Sequence, residues 1–215
     1  MSGISAVVFD LGGVLLDWDP RHLYRKVFDG DETAMEQFLA EVCTPEWHAA
    51  HDLGGSVIQA CIELASRHPE QAELIMAWGE RTEEMVAGPI PGSVAILAEL
   101  KQRGVRCYAL SNMEAVTFPL RLQRFGFLRW FDGHVISGLE GVIKPDPRIY
   151  RLLLRRYDLT AAQTLFIDDK AENVTGARAA GMRALRFESP LVLRGQLESM
   201  GLLEQAAGAK PPPAD

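Results

Sequence analysis

The stretch AVVFDLGGVLLDWDP, residues 6–20, decides the fold. An apolar run drives into a carboxylate, Asp10, and then into Leu11, Gly12 and Gly13. A run that is apolar at every position suits a strand of a parallel sheet covered on both faces, so residues 5–9 are expected to form a short buried strand. A carboxylate ending such a strand lies where open α/β sheets bind ligands, beyond the carboxyl ends of the strands. Glycines at 12 and 13 let the backbone turn sharply and come close to a ligand.

Four more runs resemble the first: VRCYALS at 105–111, HVIS at 134–137, TLFIDD at 164–169 and MRALRF at 182–187. Helical patterns lie between them. SVAILAELKQRG puts Val94, Leu97 and Ala98 on one face and stops at Gly104. DPRIYRLLLRRY offers Asp146 as a cap, Pro147 at the first helical position, and Ile149, Leu152 and Leu153 at i, i+3 and i+4. AENVTGARAAG runs from a carboxylate-ended strand to Gly181. This alternation of strand and helix predicts an α/β fold with a doubly wound parallel sheet.

Residues 18–88 break the rhythm. They read as helical, with a pattern of Val57, Ile58, Cys61, Ile62, Leu64 and Ala65, between turn-like joints DWDP at 17–20 and GPIPG at 88–92. The expected organisation is a core of residues 1–17 and 89–205, an inserted helical cap at 18–88, and a Pro- and Ala-rich disordered tail at 206–215.

The bulk numbers narrow the function. The chain has 215 residues, 47% hydrophobic and 24% charged, an ordinary globular composition with room for one sizeable core. Its net charge of −7 is uneven, since residues 19–84 alone carry −9. An acidic segment repels phosphate backbones, which argues against nucleic acid as a partner. The odd count of cysteines, Cys43, Cys61 and Cys107, with no CxxC, argues against a disulfide framework or a zinc site and fits a reducing compartment. The N-terminal strand leaves no signal peptide and no apolar run approaches membrane-spanning length, so a cytoplasmic location without membrane contact is expected.

The chemistry gathers at strand ends. Asp10 ends the first strand, Ser111 and Asn112 the second, and Asp168 and Asp169 the fourth, while Lys144 in GVIKPDP follows the third and precedes a helix. Taken singly, each has an ordinary structural reading as a cap, a turn residue or a surface lysine. The adjacent acids are more telling, because like charges at a buried strand end need a cation or a proton. Together, three carboxylates, a hydroxyl and an ammonium at one sheet edge make a site.

Two families use this inventory on a doubly wound sheet. Bacterial receiver domains place an acidic pair first, whereas here the order is Asp, Ser, Lys, Asp-Asp. That order, with a helical insert after strand one, resembles the haloacid dehalogenase-like (HAD) superfamily of hydrolases. VVFDLGGVLLD, ALSN, KPDP, and FIDD followed by NVTGARAAGM match its four motifs over roughly residues 5–190. DLGGVLLDWDP and EWHAAHDLGG are similar to a branch that includes sugar-phosphate phosphatases and the N-terminal domains of some soluble epoxide hydrolases.

The resemblance implies Mg²⁺-dependent hydrolysis of a small phosphomonoester, with sugar phosphates as a substrate class, through an aspartyl-phosphate. Asp10 would be the nucleophile. Asp10, Asp168, Asp169 and the Gly12 carbonyl would hold or orient Mg²⁺, and Ser111, the Asn112 backbone and Lys144 would hold the phosphoryl oxygens. Trp47, His48, His51 and Asp52 form a polar-aromatic cluster, some of whose members are expected to face the site and read the leaving group, with Trp18 and Asp19 as similar candidates. Gly12 departs from the family pattern, which usually has a second aspartate there to protonate the leaving group. Either alkyl phosphates are then poor substrates, or Asp17, Asp19 or a histidine of the insert supplies the proton. The competing readings are a C-halide hydrolase, whose branch lacks both that aspartate and the metal, and a HAD-fold binding or regulatory protein with weak turnover. The retained Asp168–Asp169 pair favours the metal-dependent phosphatase.

Overall fold

The computed structural model describes residues 3–205; the tail expected to be disordered, 206–215, lies outside them. The strands are β1 (Ala6–Phe9), β2 (Leu16–Trp18), β3 (Val86–Pro89), β4 (Arg106–Ser111), β5 (Gly133–Ile136), β6 (Thr164–Asp168) and β7 (Arg183–Arg186). The helices are α1 (Arg21–Val27), α2 (Glu32–Glu41), α3 (Pro45–His51), α4 (Val57–Arg67), α5 (Ala72–Glu80), α6 (Pro91–Gln102), α7 (Thr117–Arg124), α8 (Ser137–Glu140), α9 (Pro147–Arg156), α10 (Ala171–Ala179) and α11 (Pro190–Ser199).

The five runs read as strands form one parallel sheet in the order β5-β4-β1-β6-β7. Strand order reverses about β1, the place where doubly wound sheets open a crevice. The unbroken apolar runs are explained by cover on both faces. Val7, Phe9, Cys107, Ala109, Leu165 and Ile167 pack on one side with residues of α6 and α11. Ala6, Val8, Tyr108, Leu110 and Phe166 pack on the other with residues of α9 and α10. Each fully buried Val, Leu or Phe contributes about 1.5–3 kcal/mol relative to exposure.

Residues 21–80 hold helices α1 to α5, joined by loops, and carry an apolar cluster of their own, including Leu23, Tyr24, Met35, Phe38, Cys61, Ile75 and Trp78. Asp31, Thr44 and Ser56 cap α2, α3 and α4 by accepting from backbone N–H groups, and such caps are typically worth about 1 kcal/mol each. One sequence expectation needs correction here. The turn-like joints lie partly in strands, at residues 17–18 and 88–89: β2 and β3 pair antiparallel, with Asp17 opposite Gly88 and a bulge that sets Trp18 opposite Val86. Trp18 packs against both the sheet core and the helical cluster. In α4, Val57, Cys61 and Leu64 are buried, but Ile58 and Ile62 face solvent.

Candidate active site

The site begins at the end of β1. Asp10 N–H still donates to Ile167 O at 2.9 Å, so the carboxylate is fixed by the continuing sheet ladder. Beyond it the chain closes one tight turn, with Leu15 and Leu16 N–H donating to Leu11 O at 2.9 and 2.8 Å. Gly13, at φ +72°, completes this loop. A Cβ there would lie 2.7 Å from Asp169 Oδ2, so only glycine lets the loop meet that carboxylate. Gly12 is different, since a Cβ there would meet only Trp18 Cβ at an ordinary 3.7 Å.

Lys144 links the strand ends. Its ammonium lies 2.9 Å from Asp10 Oδ2 and 2.6 Å from Asp168 Oδ2, and all three groups are buried. Burial alone would depress the Lys144 pKa, but the charges and hydrogen bonds of Asp10 and Asp168 outweigh it and hold the pKa above the ordinary lysine value. The side chain of Asn112, just past β4, fixes Lys144, donating to Lys144 O at 3.0 Å and accepting from Lys144 N–H at 2.8 Å. Burial pushes the Asp10 carboxyl up to about 7; Lys144 opposes this, and Asp168 and Asp169 add to it.

Asp168 and Asp169 are neighbours with different surroundings. Asp168 accepts from Lys144 Nζ, from Lys170 N–H at 2.9 Å and from Asn173 Nδ2 at 3.0 and 3.1 Å, so both its oxygens are held by the protein. Asp169 keeps a buried Oδ1 with no hydrogen-bond partner among the described residues, and burial followed by the Asp168 charge raises its pKa. Oxygens of Asp10, Asp168 and Asp169 lie within 4.8 Å of one another. A buried carboxylate oxygen without a donor, within a set of hard oxygen ligands, fits a divalent cation such as Mg²⁺.

These groups open on a cleft of about 290 Å³ between the sheet edge and the helical segment. Asp10, Gly12, Ser111, Asn112, Lys144 and Asp169 line it from the sheet side. Trp18, Asp19 and His48 line it from the other, with the His48 and Trp18 rings stacked 5.0 Å apart. Asp168 lies behind the lining. Trp47 and His51 were expected to face this site, but they pack within the helical segment: their rings meet edge-on at 4.4 Å, and Trp47 also abuts Trp78. Helix geometry separates the cluster, because residues 47 and 51 share one face of α3 while 48 and 52 share the next.

Sequence reasoning missed Glu114, Thr117 and Arg121, which line the cleft from the loop before α7 and from α7 itself. Their spacing of three and four residues is a helix-face signal that the sequence carries. Lys170 and Asn173, inside the fourth motif, were likewise not singled out.

Residues 4–181 match the family model for haloacid dehalogenase-like hydrolases. The sesquiterpene phosphatase AstK of Aspergillus oryzae is 32% identical over 205 residues, covering 91% of this chain and 96% of that protein. The chain is a haloacid dehalogenase-like hydrolase. A Mycobacterium tuberculosis phosphatase, MT3486, is 28% identical to this hydrolase over 95% of its chain and 99% of the relative. The fold also matches the HAD-family enzyme BT-2542 of Bacteroides thetaiotaomicron, solved with magnesium and inorganic phosphate, at a TM-score of 0.63 and 18% identity over 86% of this chain and 95% of that one. Among the described residues, no helix is long and apolar enough to cross a membrane, and Cys43, Cys61 and Cys107 are free and buried.

Proposed function

We propose that this hydrolase is a Mg²⁺-dependent phosphatase of small phosphomonoesters that works through a phosphorylated Asp10. The observation that carries the reading is the Asp10–Lys144–Asp168 arrangement beside Asp169, opening on one cleft. A carboxylate can attack phosphorus and hold the phosphoryl group, splitting one difficult displacement into two. Asp10 follows β1 at the mouth of the sheet, with Lys144 holding its Oδ2, which supports this role. Ser111, at the end of β4, and the Asn112 backbone line the same space and would hold phosphoryl oxygens.

Asp10, Asp169 and the Gly12 carbonyl would ligate the cation, with Asp168 held by its protein donors so as to orient the others. When bound, the dication neutralises charge between an anionic nucleophile and an anionic substrate. Of the acids in residues 18–88, Asp19 and Asp52 line the cleft, while Glu36, Glu41 and others lie outside it.

Residues 18–88 act in this reading as the cap and residues 1–17 and 89–205 as the hydrolase core, with the β2–β3 ribbon joining them. The cap side of the cleft presents Asp19, Arg21, His48 and Asp52. These polar groups, beside the apolar Trp18, Pro20 and Val86 of the same side, suit a hydroxylated leaving group such as a sugar. The retained carboxylate pair and buried lysine support phosphoryl transfer over halide displacement. The test is turnover of a metabolite-phosphate panel with Mg²⁺ and with EDTA. Multiple turnovers on sugar phosphates that stop in EDTA are expected; no phosphate release from any ester would overturn the reading.

A further inference from the structure

Gly12 leaves open which group protonates the leaving oxygen. The groups considered from sequence are poorly placed for it. Asp17 is half exposed and hydrogen-bonded to His22 at 3.0 Å. Asp19 accepts from the backbone N–H of Arg21 at 2.9 Å and pairs with its guanidinium. His48 has its pKa drawn down to about 4 by burial, then by His51 and Lys170, so at neutral pH the ring lacks the proton an imidazolium would give. His51 packs against Trp47 and does not line the cleft.

Asp52 is different. It lies one turn beyond His48, at the C-terminal end of α3, and lines the same cleft as Asp10, Gly12, Ser111 and Lys144. Only 7% of the residue is exposed, and among the described residues no donor lies within hydrogen-bond distance of its carboxyl; His48 Nε2 is 3.8 Å away. Its backbone is fixed to the hydrolase core. Ser137 Oγ donates to Asp52 O at 2.5 Å and accepts from Met113 N–H at 2.9 Å, tying α3 to the loop after β4. Close by, Gly54 adopts φ +111°, and a Cβ there would stand 2.9 Å from Gly138 O, so this turn is seated directly on the core backbone.

We infer that Asp52 is the general acid and base of the reaction, supplying from the helical segment the carboxyl that Gly12 lacks. The inference rests on the phosphatase reading and deepens it. In the first step an Asp10 oxygen bonds to phosphorus, the P–O bond to the leaving group breaks with its electron pair on that oxygen, and the Asp52 proton passes to it, releasing the alcohol. In the second, Asp52 takes a proton from water as the water oxygen attacks phosphorus. The Asp10–phosphorus bond breaks, phosphate leaves, and Asp52 is again protonated.

The electrostatics agree. Burial, and then the nearby Glu114, push the Asp52 carboxyl up to about 7, while Lys170 and Lys144 pull the other way. With His48 beside it on α3, these are the charged and titratable groups facing it. A carboxyl poised near neutrality can both give and take a proton.

The test is a leaving-group series on the Mg²⁺-loaded enzyme, from ethyl through trifluoroethyl and p-nitrophenyl to 2,4-dinitrophenyl phosphate, for wild type, Asp52→Asn, Glu114→Gln and Asp52→Asn with Gly12→Asp. A positioned general acid is typically worth about 10²–10⁴-fold. Asp52→Asn is expected to lose that factor on ethyl phosphate and little on 2,4-dinitrophenyl phosphate, whose leaving group needs no proton. The alkaline limb of the wild-type ethyl phosphate profile should vanish with it. Gly12→Asp should restore ethyl phosphate turnover in the Asp52→Asn background, since its Cβ fits beside Trp18. Turnover of the dinitrophenyl ester reports that the variant is folded. A uniform loss across the series overturns the inference and leaves the phosphatase reading standing, as does a selective alkyl loss in Glu114→Gln alone. Failure of the wild type on every ester removes both.

Discussion

Replacing Lys144 by Met should convert the site's strongest internal contact into its largest defect. The lysine is 2% exposed and its ammonium touches Asp10 Oδ2 at 2.9 Å and Asp168 Oδ2 at 2.6 Å. Met keeps the length and apolar stem but leaves two buried carboxylates facing each other. Removing one partner of a buried ion pair typically costs about 3–5 kcal/mol. With roughly 2–4 °C of Tm per kcal/mol at this chain size, the loss should be on the order of 6–20 °C. The sign with pH follows from the same groups. The folded-state pKa of Lys144 is raised, so its stabilisation is fully present below the ordinary lysine value and is lost only as pH rises through the folded value. In the variant the penalty belongs to ionised carboxylates, so it should be largest near pH 8 and shrink toward pH 4 as Asp10 takes up a proton. Denaturant unfolding of both proteins in EDTA at pH 4, 6 and 8 measures this. Adding Asp10→Asn to Lys144→Met should recover part of the loss at pH 8. A variant as stable as wild type at pH 8, or a deficit that does not vary with pH, would refute this account of the buried charges.

Three further outcomes separate the roles assigned nearby. Asp52 has a raised folded-state pKa, so its contribution to stability is present below about pH 4 and fades as pH rises through about 7; unfolding curves should show Asp52→Asn gaining on wild type between pH 4 and 8, and a constant difference would contradict the buried placement. Gly13→Ala forces a Cβ to 2.7 Å from Asp169 Oδ2 at φ +72°; it should cost about 1–2 kcal/mol for the left-handed backbone alone and erase the Mg²⁺-induced rise in Tm, whereas Gly12→Ala should leave both nearly unchanged. His48→Ala should alter the ranking of sugar phosphates, while His51→Ala, which loses the edge-on contact with Trp47, should lower Tm without reordering substrates; the reverse pattern would mean that the two faces of α3 are wrongly assigned.

The parallel sheet was legible because its strands are buried on both faces, leaving unbroken apolar runs such as Val7–Phe9 and Leu165–Ile167. The strand-end residues were legible for a related reason: parallel strands put all their carboxyl ends at one edge, so Asp10, Ser111 and Asp168 had to come together. The β2–β3 ribbon was not, because strands of three and four residues are too short to show a period, and Asp17, Gly88 and Pro89 are poor strand formers. The split of the Trp47–Asp52 cluster is written in its i, i+4 spacing, but which face turns toward the sheet depends on Ser137 and Gly138, some 85 residues away in sequence. The unequal roles of Asp168 and Asp169 depend on Asn173 and Lys144 as donors, and adjacency in the chain does not reveal which carboxylate they take.

The central claim is that Asp10 becomes phosphorylated. Acid quenching during turnover of a ³²P-labelled phosphomonoester with Mg²⁺, followed by peptide mapping, tests it most directly. Label should appear on the peptide bearing Asp10 in wild type, be released by hydroxylamine as an acyl phosphate is, and be absent from Asp10→Asn. Label on another residue, or undiminished turnover by Asp10→Asn, would contradict it.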